Sequence, residues 1–516
     1  MKERIERSLL TSTGVFFSIA RTQLALPVQF LFLFLNGVGV VVGTIYNINT
    51  PDLYRNNAHH KVGWIATWIV TAQAVMSLLF FYSGRTLQET VSKSERAHFL
   101  SAARQPLGQP YLQHHYRWSG DSGHGTESTS PASSSRTLSL NRDDEYSKSE
   151  AEDPEDMEDI PVISPRRGPS WFQNTKIDRY LSTRLPTLAS RKVIKAADMA
   201  YEVMDRTILI LGFIAITSGL VTYSGIFRDN NVFNGLAHFI KGGIFVWYGL
   251  LTLGRWLGSF ADLGWAWNLK PTKSEVGWKA RVPSAEFTES FLIFLYGCIN
   301  VFLEHLAAWG DAWTAEDFEH VSISIMFFGG GLAGMLVESK RLRTWLNTSV
   351  DMMPVRSEVN PEQAHETRKH PQNYTVSLNI MPAVVILLLG IMMSSHQQDS
   401  MVSTTVHKQW GTLLVGASLC RGLTYMLTYL SPPKSVYPSR PPTELAASFC
   451  LLSGGLLFML STKDIMHYMV EYNLMAMFLF TVVVGFSAFI MAYVMFVVGL
   501  KGWAIRRAQK GLVNRF

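Results

Sequence analysis

The chain has 516 residues, a formal net charge of +6 and only three cysteines. The excess positive charge lies in loops beside long apolar stretches, where membrane topology and anionic lipid account for it, so it indicates no nucleic-acid partner. The cysteines Cys298, Cys420 and Cys450 all fall inside apolar stretches, which argues against a disulfide framework.

Ten apolar stretches are each about long enough to cross a bilayer, which takes roughly 17–25 residues. Backbone groups in lipid must pair within the segment, so we predict that all ten are helices. In chain order they are Leu24–Tyr46, Val62–Tyr82, Thr207–Tyr223, Phe239–Phe260, Phe287–Leu306, Val321–Val337, Val376–Ser395, Trp410–Tyr429, Leu445–Ser461 and Leu474–Leu500. The sequence therefore predicts an all-α polytopic transmembrane bundle, with the lipid bilayer as its partner.

The stretches and the segments between them divide the chain into five parts in a 2+8 arrangement. These are a cytosolic or interfacial segment (1–23), a two-helix membrane unit (24–83), an acidic Ser/Pro-rich cytosolic linker (84–200), an eight-helix membrane domain (201–503) and a basic cytosolic tail (504–516). The linker composition cannot bury a core, so we expect disorder there. A helix is predicted to resume between Ser190 and Asp205, ahead of the third stretch.

The loops alternate between rich and poor in Lys and Arg. With the amino terminus in the cytosol, the inner loops other than the long linker hold 21 Lys and Arg, and the outer segments hold five: Arg55, Lys61, Arg228, Lys408 and Lys463. The positive-inside rule then predicts that both termini are cytosolic, in the endomembrane system or the plasma membrane. Sugar on the sequons at Asn347 or Asn373 would refute this orientation.

Eight histidines fall at or near the predicted outer boundary, together with many carboxylates. His396 closes the seventh stretch and His407 opens the eighth, so a short loop returns one imidazole close to the other. Imidazole is a ligand for zinc and similar divalent ions, so these two residues are the candidate metal site. The alternative is that these histidines are interfacial polar residues without a ligand.

The fifth stretch carries a polar stripe made of Glu289, Tyr296, Asn300, Glu304 and His305. Lipid is too costly a neighbour for such groups, so the stripe must face other helices or a wet cavity. A structural hydrogen-bond seam and a path for protons or small ions both fit this pattern.

Further basic or imidazole residues lie in or directly beside the fourth and eighth stretches. His238, Lys241 and Arg255 are near the ends of the fourth, and we predict that they reach the headgroups. Arg421 is about eight residues from its nearer end, and we predict that it pairs with a carboxylate such as Glu289 or Asp262.

Glycines are clustered in two stretches. Gly329, Gly330, Gly331 and Gly334 in the sixth stretch, and Gly254 with Gly258 in the fourth, have the small-residue spacing of close helix contacts. A phosphate-binding loop is excluded, because no strand precedes the glycines and no Lys-Ser/Thr pair ends the run.

Several long strings resemble a fungal family of YTP-type integral membrane proteins, described as similar to mitochondrial electron-transport proteins. The strings include NNAHHKVGWIATWIVTAQAV from Asn56, GGIFVWYGLLTLGRWLGSFADLGWAWN from Gly242 and FLIFLYGCINVFLEHL from Phe291. The resemblance covers both membrane units and omits chiefly the linker. It implies a multi-pass membrane protein.

The amino-terminal unit of that family looks like the fold of the cytochromes b, in which histidines on facing helices hold haem iron. His59 and His60 match the family's paired histidines, so the resemblance implies haem b at these residues. The family's preceding helix, which begins with His-Gly, has no full counterpart before Arg21. That departure leaves the implied haem site without a partner histidine in this segment.

The sequence contains no Gly-x-Ser-x-Gly elbow, Walker loop or paired catalytic carboxylates, which favours a non-enzymatic protein. Our first interpretation is a multi-pass transporter-like or scaffold protein that handles protons or metal ions. The handling residues would be the polar stripe with Arg421, and His396 and His407 at its outer mouth. The alternatives are a haem b electron-transfer protein and a structural membrane organiser.

Overall fold

The computed structural model describes residues 25–51, 53–54, 57–78, 191–303, 312–353, 374 and 376–513. The fold divides into two compact units. One contains the described residues up to Ala74 and from Ala200 onward, and the other contains residues 75–78 and 191–199. Everything below concerns the first unit.

Ten helices coincide with the ten predicted stretches. They are α1 (Ala25–Asn49), α2 (residues 58–78), α3 (Arg191–Ser224), α4 (Val232–Leu257), α5 (Ala285–Leu303), α6 (Ala315–Glu338), α7 (Met381–Ser395), α8 (Met401–Leu430), α9 (Pro442–Leu460) and α10 (Ala476–Val513). The short helices Lys273–Val276, Lys340–Asp351 and Lys463–Glu471 lie between them. The described residues contain no strand, so the all-α prediction is confirmed.

Among the described residues, seven helices are long and apolar enough to cross a membrane by length and composition. They are α1, α3, α4, α6, α8, α9 and α10. Helix α7 is apolar but has only 15 residues, and α2 and α5 overlap the remaining two predicted stretches. The prediction of a polytopic helical membrane protein is confirmed, whereas the number of ten crossings stays a prediction.

The ends of the helices follow local sequence signals. Thr314 caps α6 by accepting from Asp317 N, while the Asp317 side chain accepts from Thr314 N at 2.8 Å. Ser400 is the N-cap of α8, and its side chain accepts a hydrogen bond from Ser403 N. Pro442 is the first residue of α9, a position where the missing N–H of proline costs no helical hydrogen bond. Gly258 ends α4 with φ 90°, a backbone conformation that a side chain would strain.

Helices α4 and α9 are brought together by glycines. A Cβ added at Gly242 would lie 2.7 Å from Gly455 O, and one added at Gly249 would lie 2.8 Å from Leu452 N. The two backbones are therefore in direct contact. Small residues are what allow such an approach between membrane helices.

The predicted glycine contacts of the sixth stretch are found at three of the four positions. A Cβ on Gly331 would overlap Phe294 of α5, one on Gly334 would overlap Ser290 of α5, and one on Gly330 would overlap Val385 of α7, while Gly329 faces open space. The predicted helix contact at Gly254 and Gly258 is wrong. Gly258 is the turn residue after α4 and meets Pro438, and Gly254 meets Phe260 of the following loop.

Helices α1, α2 and α3 pack against one another within the same compact unit. Gln29 donates to the Tyr201 hydroxyl at 3.0 Å, and Gln73 donates to Asp205 at 2.6 Å. Val70 and Ile208 form the buried centre of this contact. The sequence boundary between the two-helix unit and the eight-helix domain stays a prediction.

The flanking predictions have mixed outcomes. Residues 1–23 and positions 84–190 of the linker lie outside the described residues. The helix predicted to resume between Ser190 and Asp205 is confirmed, because it begins at Arg191 and continues as α3. The predicted tail continues α10 as far as Val513.

Replacing Gly331 by Ala should destabilise the protein, because the added Cβ would push the backbones of α5 and α6 apart. Gly329→Ala is the matched control two residues away, because its Cβ would enter open space. Ala is also more favourable than Gly inside a helix by about 1 kcal/mol. We expect a lower melting temperature for Gly331→Ala in detergent, and an equal or higher one for Gly329→Ala. Equal melting temperatures for the two variants would contradict this packing.

Candidate functional site

Five ionisable side chains form an alternating row of charges inside the bundle, which we call the ion-pair array. In order they are Glu286, Arg255, Glu289, Arg421 and Glu444. Arg255 Nη2 lies 2.7 Å from Glu286 Oε1, and Arg255 Nη1 lies 2.6 Å from Glu289 Oε1. Arg421 Nη1 lies 3.2 Å from Glu289 Oε2, and Arg421 Nε lies 2.7 Å from Glu444 Oε1. Each guanidinium thus bridges two carboxylates, and Glu289 is shared by both.

The helices place the array at one end of the bundle. Glu286 and Glu289 lie near the start of α5, and Glu444 lies in the first turn of α9. Arg255 is in the last turn of α4, and Arg421 is about two and a half turns before the end of α8. Carboxylates at helix starts and a guanidinium at a helix end match the helix dipoles.

Every member of the array is buried. Arg255 is 1% exposed, Arg421 4%, Glu286 and Glu289 6% each, and Glu444 0%. Burying a single charge of this kind costs several kcal/mol, and a pair recovers that cost only with good geometry and further hydrogen bonds. The array meets this requirement by sharing partners.

Uncharged neighbours complete the coordination. The Tyr248 hydroxyl donates to Glu289 Oε2 at 2.9 Å, and Arg421 Nη2 donates to Thr252 at 3.3 Å. Arg255 Nε donates to Trp265 O at 2.7 Å, and its guanidinium lies 4.3 Å from the centre of the Trp267 ring. The loop after α4 therefore closes the array from the end of the bundle.

That loop is held in place by Asn268. Its side-chain nitrogen donates to Ala261 O at 2.9 Å and to Val436 O at 2.8 Å, which ties the loop after α4 to the loop after α8. Trp267 has a φ of 50°, so the backbone before Asn268 is in the left-handed region. The buried Trp267 ring is the part of the loop that covers both arginines, at 4.3 Å from Arg255 and 5.7 Å from Arg421.

The sequence predictions for the basic residues can be compared with this geometry. The predicted pair between Arg421 and Glu289 is present, but Asp262, the other suggested partner, binds Lys279 at 2.6 Å on the surface. The prediction that Arg255 reaches the headgroups is wrong. Its place in the last turn of α4 suggested an exposed end, but the loop after α4 folds back over it.

Sequence reasoning missed Glu286 and Glu444 as site residues. A signal for them existed: Glu286 and Glu289 are three residues apart on one face of a helix start, and Glu444 directly precedes an apolar run. Glu286 pairs with Arg255 and Glu444 pairs with Arg421, and these pairings depend on contacts between helices that are distant in sequence.

The rest of the predicted stripe has other partners. Asn300 donates to Ser324 of α6 at 2.6 Å, and the Tyr296 ring lies 5.1 Å from that of Phe327. Glu304 and His305 lie outside the described residues. The described part of the stripe therefore joins α5 to α6 at Asn300 and to α4 and α8 at Glu289.

The two histidines of the predicted metal site take different neighbours. His396 Nδ1 lies 3.6 Å from Glu319 Oε2, whereas the His407 and His238 rings are 6.1 Å apart, edge to face. Within the described residues no group of three or more His, Cys, Asp or Glu side chains is placed to hold a metal ion. The metal site at His396 and His407 stays a prediction.

The candidate haem ligands differ in their surroundings. His59 Nδ1 lies 3.1 Å from Ser218 Oγ of α3, while His60 is exposed and packs beside Trp64. In the cytochrome b fold that the resemblance implies, histidines on facing helices would hold the haem iron from both sides. The haem site at His59 and His60 stays a prediction.

Fold and site together define a polytopic helical membrane protein with a buried ion-pair array. The family model described as "Protein YTP1-like, C-terminal" matches residues 211–502, and the one described as "Domain of unknown function (DUF2427)" matches residues 10–83. The chain belongs to the YTP1-like family of membrane proteins, as the resemblance predicted. The array lies entirely within the region matched by the first model.

Fungal proteins are similar to the chain over much of its length. An uncharacterized membrane protein of Schizosaccharomyces pombe is 33% identical over 96% of this chain and 91% of its own length. An uncharacterized membrane protein of Saccharomyces cerevisiae is 37% identical over 72% of this chain and 56% of its own length. The protein YTP1 of the same yeast is 22% identical over 55% of this chain and 50% of its own length. No solved structure matches the chain.

Arg421→Gln should destabilise the protein, because it removes the only guanidinium that joins Glu289 to Glu444 in the array. Breaking a buried ion pair in this way costs about 3–5 kcal/mol. Lys279→Gln is the control: it breaks an ion pair whose side chains are 43% and 41% exposed, so its effect should stay under about 1 kcal/mol. Unfolding by denaturant in detergent micelles measures both. Similar losses for the two variants would refute the structural role of the array.

Proposed function

We propose that the chain is a transporter-like multi-pass membrane protein that handles a proton or another small cation at the ion-pair array. The array is the observation that carries the proposal. Ionisable side chains inside a membrane bundle are expensive, and they commonly mark ion paths and proton relays. A purely structural contact between these helices could be made with apolar residues or neutral hydrogen bonds at lower cost.

The count of charges supports a cation rather than an anion. The array contains three carboxylates and two guanidiniums. If all five are ionised, one negative charge remains inside the bundle, away from water. A bound proton or a small cation would remove that imbalance, whereas an anion would increase it.

Titratable groups at the other end of the same helices support a path between the two membrane faces. Helix α4 carries His238 near its start and Arg255 in its last turn, and α8 carries His407 and Arg421 in the same order. A neutral imidazole has one donor and one acceptor nitrogen, so it can relay a proton. In this proposal His238 and His407 form the end of the path opposite the array. The sequence alone predicts His396 and His407 at that end.

The orientation of the path follows from the distribution of Lys and Arg. The array is at the same end of the bundle as the basic loops between α4 and α5 and between α8 and α9. By the positive-inside rule this end would face the cytosol, with both termini on the same side, in the endomembrane system or the plasma membrane.

This orientation can be tested with single cysteines introduced after Cys298, Cys420 and Cys450 have been replaced by Ser. Ser274 lies in the loop after α4, Met401 lies at the start of α8, and both are exposed. A membrane-impermeant maleimide applied to sealed vesicles with the cytosolic face inside should label Met401→Cys at once. It should label Ser274→Cys only after permeabilisation, and the reverse pattern would refute the orientation.

Cation handling can be tested with the purified protein in liposomes that contain a pH-sensitive dye. We expect an imposed proton gradient to collapse faster than in protein-free liposomes. Glu289→Gln should return the rate to that of protein-free liposomes, because it removes the carboxylate shared by both arginines. Asp262→Asn is the control, since Asp262 lies in the adjacent loop outside the array. Each variant is first checked for a monodisperse elution profile.

The same liposomes distinguish the competing functions. A parallel set loaded with a zinc-sensitive dye reports a divalent metal instead of a proton. If neither dye responds to the wild-type protein, transport of protons and of zinc is refuted, and the haem b protein and the structural organiser are left as the functions to test.

A further inference from the structure

We infer that the excess negative charge of the ion-pair array is neutralised by a proton held on Glu444, which makes the proton the cation of this site. This inference rests on the proposed function, because it names the ion that the array binds. It is argued from the order of charges, the burial of the two terminal carboxylates and the hydrogen bonds that they accept.

The central carboxylate is the least suited to hold the proton. Glu289 accepts hydrogen bonds from Arg255 at 2.6 Å, from Arg421 at 3.2 Å and from the Tyr248 hydroxyl at 2.9 Å. Three donors on one carboxylate stabilise its ionised form. The proton therefore belongs on one of the two ends of the array, Glu286 or Glu444.

Burial separates these two ends. The side chain of Glu444 is 0% exposed, whereas the side chain of Glu286 is 8% exposed. Both lie in the first turn of a helix, so the helix dipole favours the ionised form of each and does not distinguish them. Ionisation has the larger desolvation cost for the more deeply buried carboxylate, so burial favours the proton on Glu444.

The two guanidiniums approach the terminal carboxylates equally closely, at 2.7 Å, so the direction of each N–H is what separates the two contacts. Arg255 is 2.7 Å from Glu286 through a hydrogen bond. Arg421 divides its donors between Glu289, at 3.2 Å and 3.4 Å, Thr252 at 3.3 Å, and Glu444. Its Nε donates to Glu444 Oε2 at 2.9 Å; Oε1 lies 2.7 Å from the same nitrogen but accepts no hydrogen bond in the described part of the chain. That oxygen is the position where a proton can sit.

The groups that face Glu444 come from three helices. Arg421, Thr424 and Cys420 approach it from α8, Arg255 from α4 and Glu289 from α5. Glu286 has a nearby acid of its own in Glu338, which accepts hydrogen bonds from Ser284 at 2.8 Å and from Ser377 at 2.5 Å. Glu338 and Glu286 are therefore the rival sites that the experiment must exclude.

Proton binding here is a simple exchange with water. A hydronium ion transfers its proton to Glu444 Oε1, which forms a neutral acid, and a water molecule leaves. The array is then charge-balanced, with Glu286 and Glu289 opposite the two arginines. Loss of the proton leaves an additional carboxylate that competes with Glu289 for Arg421, so proton release is coupled to a change in this shared contact.

Infrared spectroscopy of the full-length protein in nanodiscs tests the assignment directly. A neutral carboxylic acid has a carbonyl band separate from the amide and carboxylate bands, and the band shifts in heavy water. At neutral pH we expect this band in the wild-type protein, at a changed position in Glu444→Asp, and at an unchanged position in Glu286→Asp and Glu338→Asp, because each Asp variant keeps the number of charges and alters the band only if the changed residue holds the proton. A band that keeps its position in Glu444→Asp, or that moves in either of the other two variants, would overturn the assignment.

Stability gives a second, independent measurement. Gln has nearly the shape of a protonated Glu and no charge, so Glu444→Gln should keep the wild-type melting temperature, while Glu289→Gln should lower it. A clear loss of stability in Glu444→Gln, or its failure to fold, would overturn the assignment.

Neither measurement requires transport, so a protein that moves no protons in liposomes can still show the band on Glu444. The failure of the proposed function is thereby distinguishable from the failure of this inference.

Discussion

The cost of burying charge is the constraint on which the centre of this bundle depends. Five ionisable side chains lie at 0–6% exposure where four helices meet, and none could stay charged there without partners. Because each arginine bridges two carboxylates, α4, α5, α8 and α9 are coupled through one set of contacts. A displacement of any of the four helices would leave a charge without its partner.

Close helix packing is what makes these contacts possible. Gly242 and Gly249 let α4 touch the backbone of α9, and Gly331 and Gly334 let α6 touch α5. Arg255 on α4 and Glu289 on α5 are thereby held at a distance that their side chains span at 2.6 Å. The small residues fix the spacing, and the charged residues fix which faces of the helices meet.

The sequence was sufficient for the class of fold and insufficient for the site. Apolar length predicts helices at all ten stretches, because backbone pairing in lipid allows little else. The sequence also predicts that Arg421 pairs with a carboxylate, because an unpaired charge inside a membrane is costly. The prediction that Arg255 reaches the headgroups is wrong because it used only the distance of Arg255 from the end of its helix. The burial of Arg255 comes from the loop around Trp267, which that distance does not reveal. Glu444 was missed because its partner lies 23 residues away on another helix.

The odd number of charges separates this array from a structural ion pair. A pair with equal charges has one stable protonation state, and a bundle that needed only a fixed contact could use it. A row that begins and ends with a carboxylate has two competing ends for a proton, and each guanidinium contacts one end and the central Glu289. Proton occupancy at Glu444 and the position of Arg421 are then two aspects of one equilibrium, because each alters the electrostatic energy of the other. Such coupling between a bound ion and a helix contact is what alternating exposure of a site to two faces of a membrane requires.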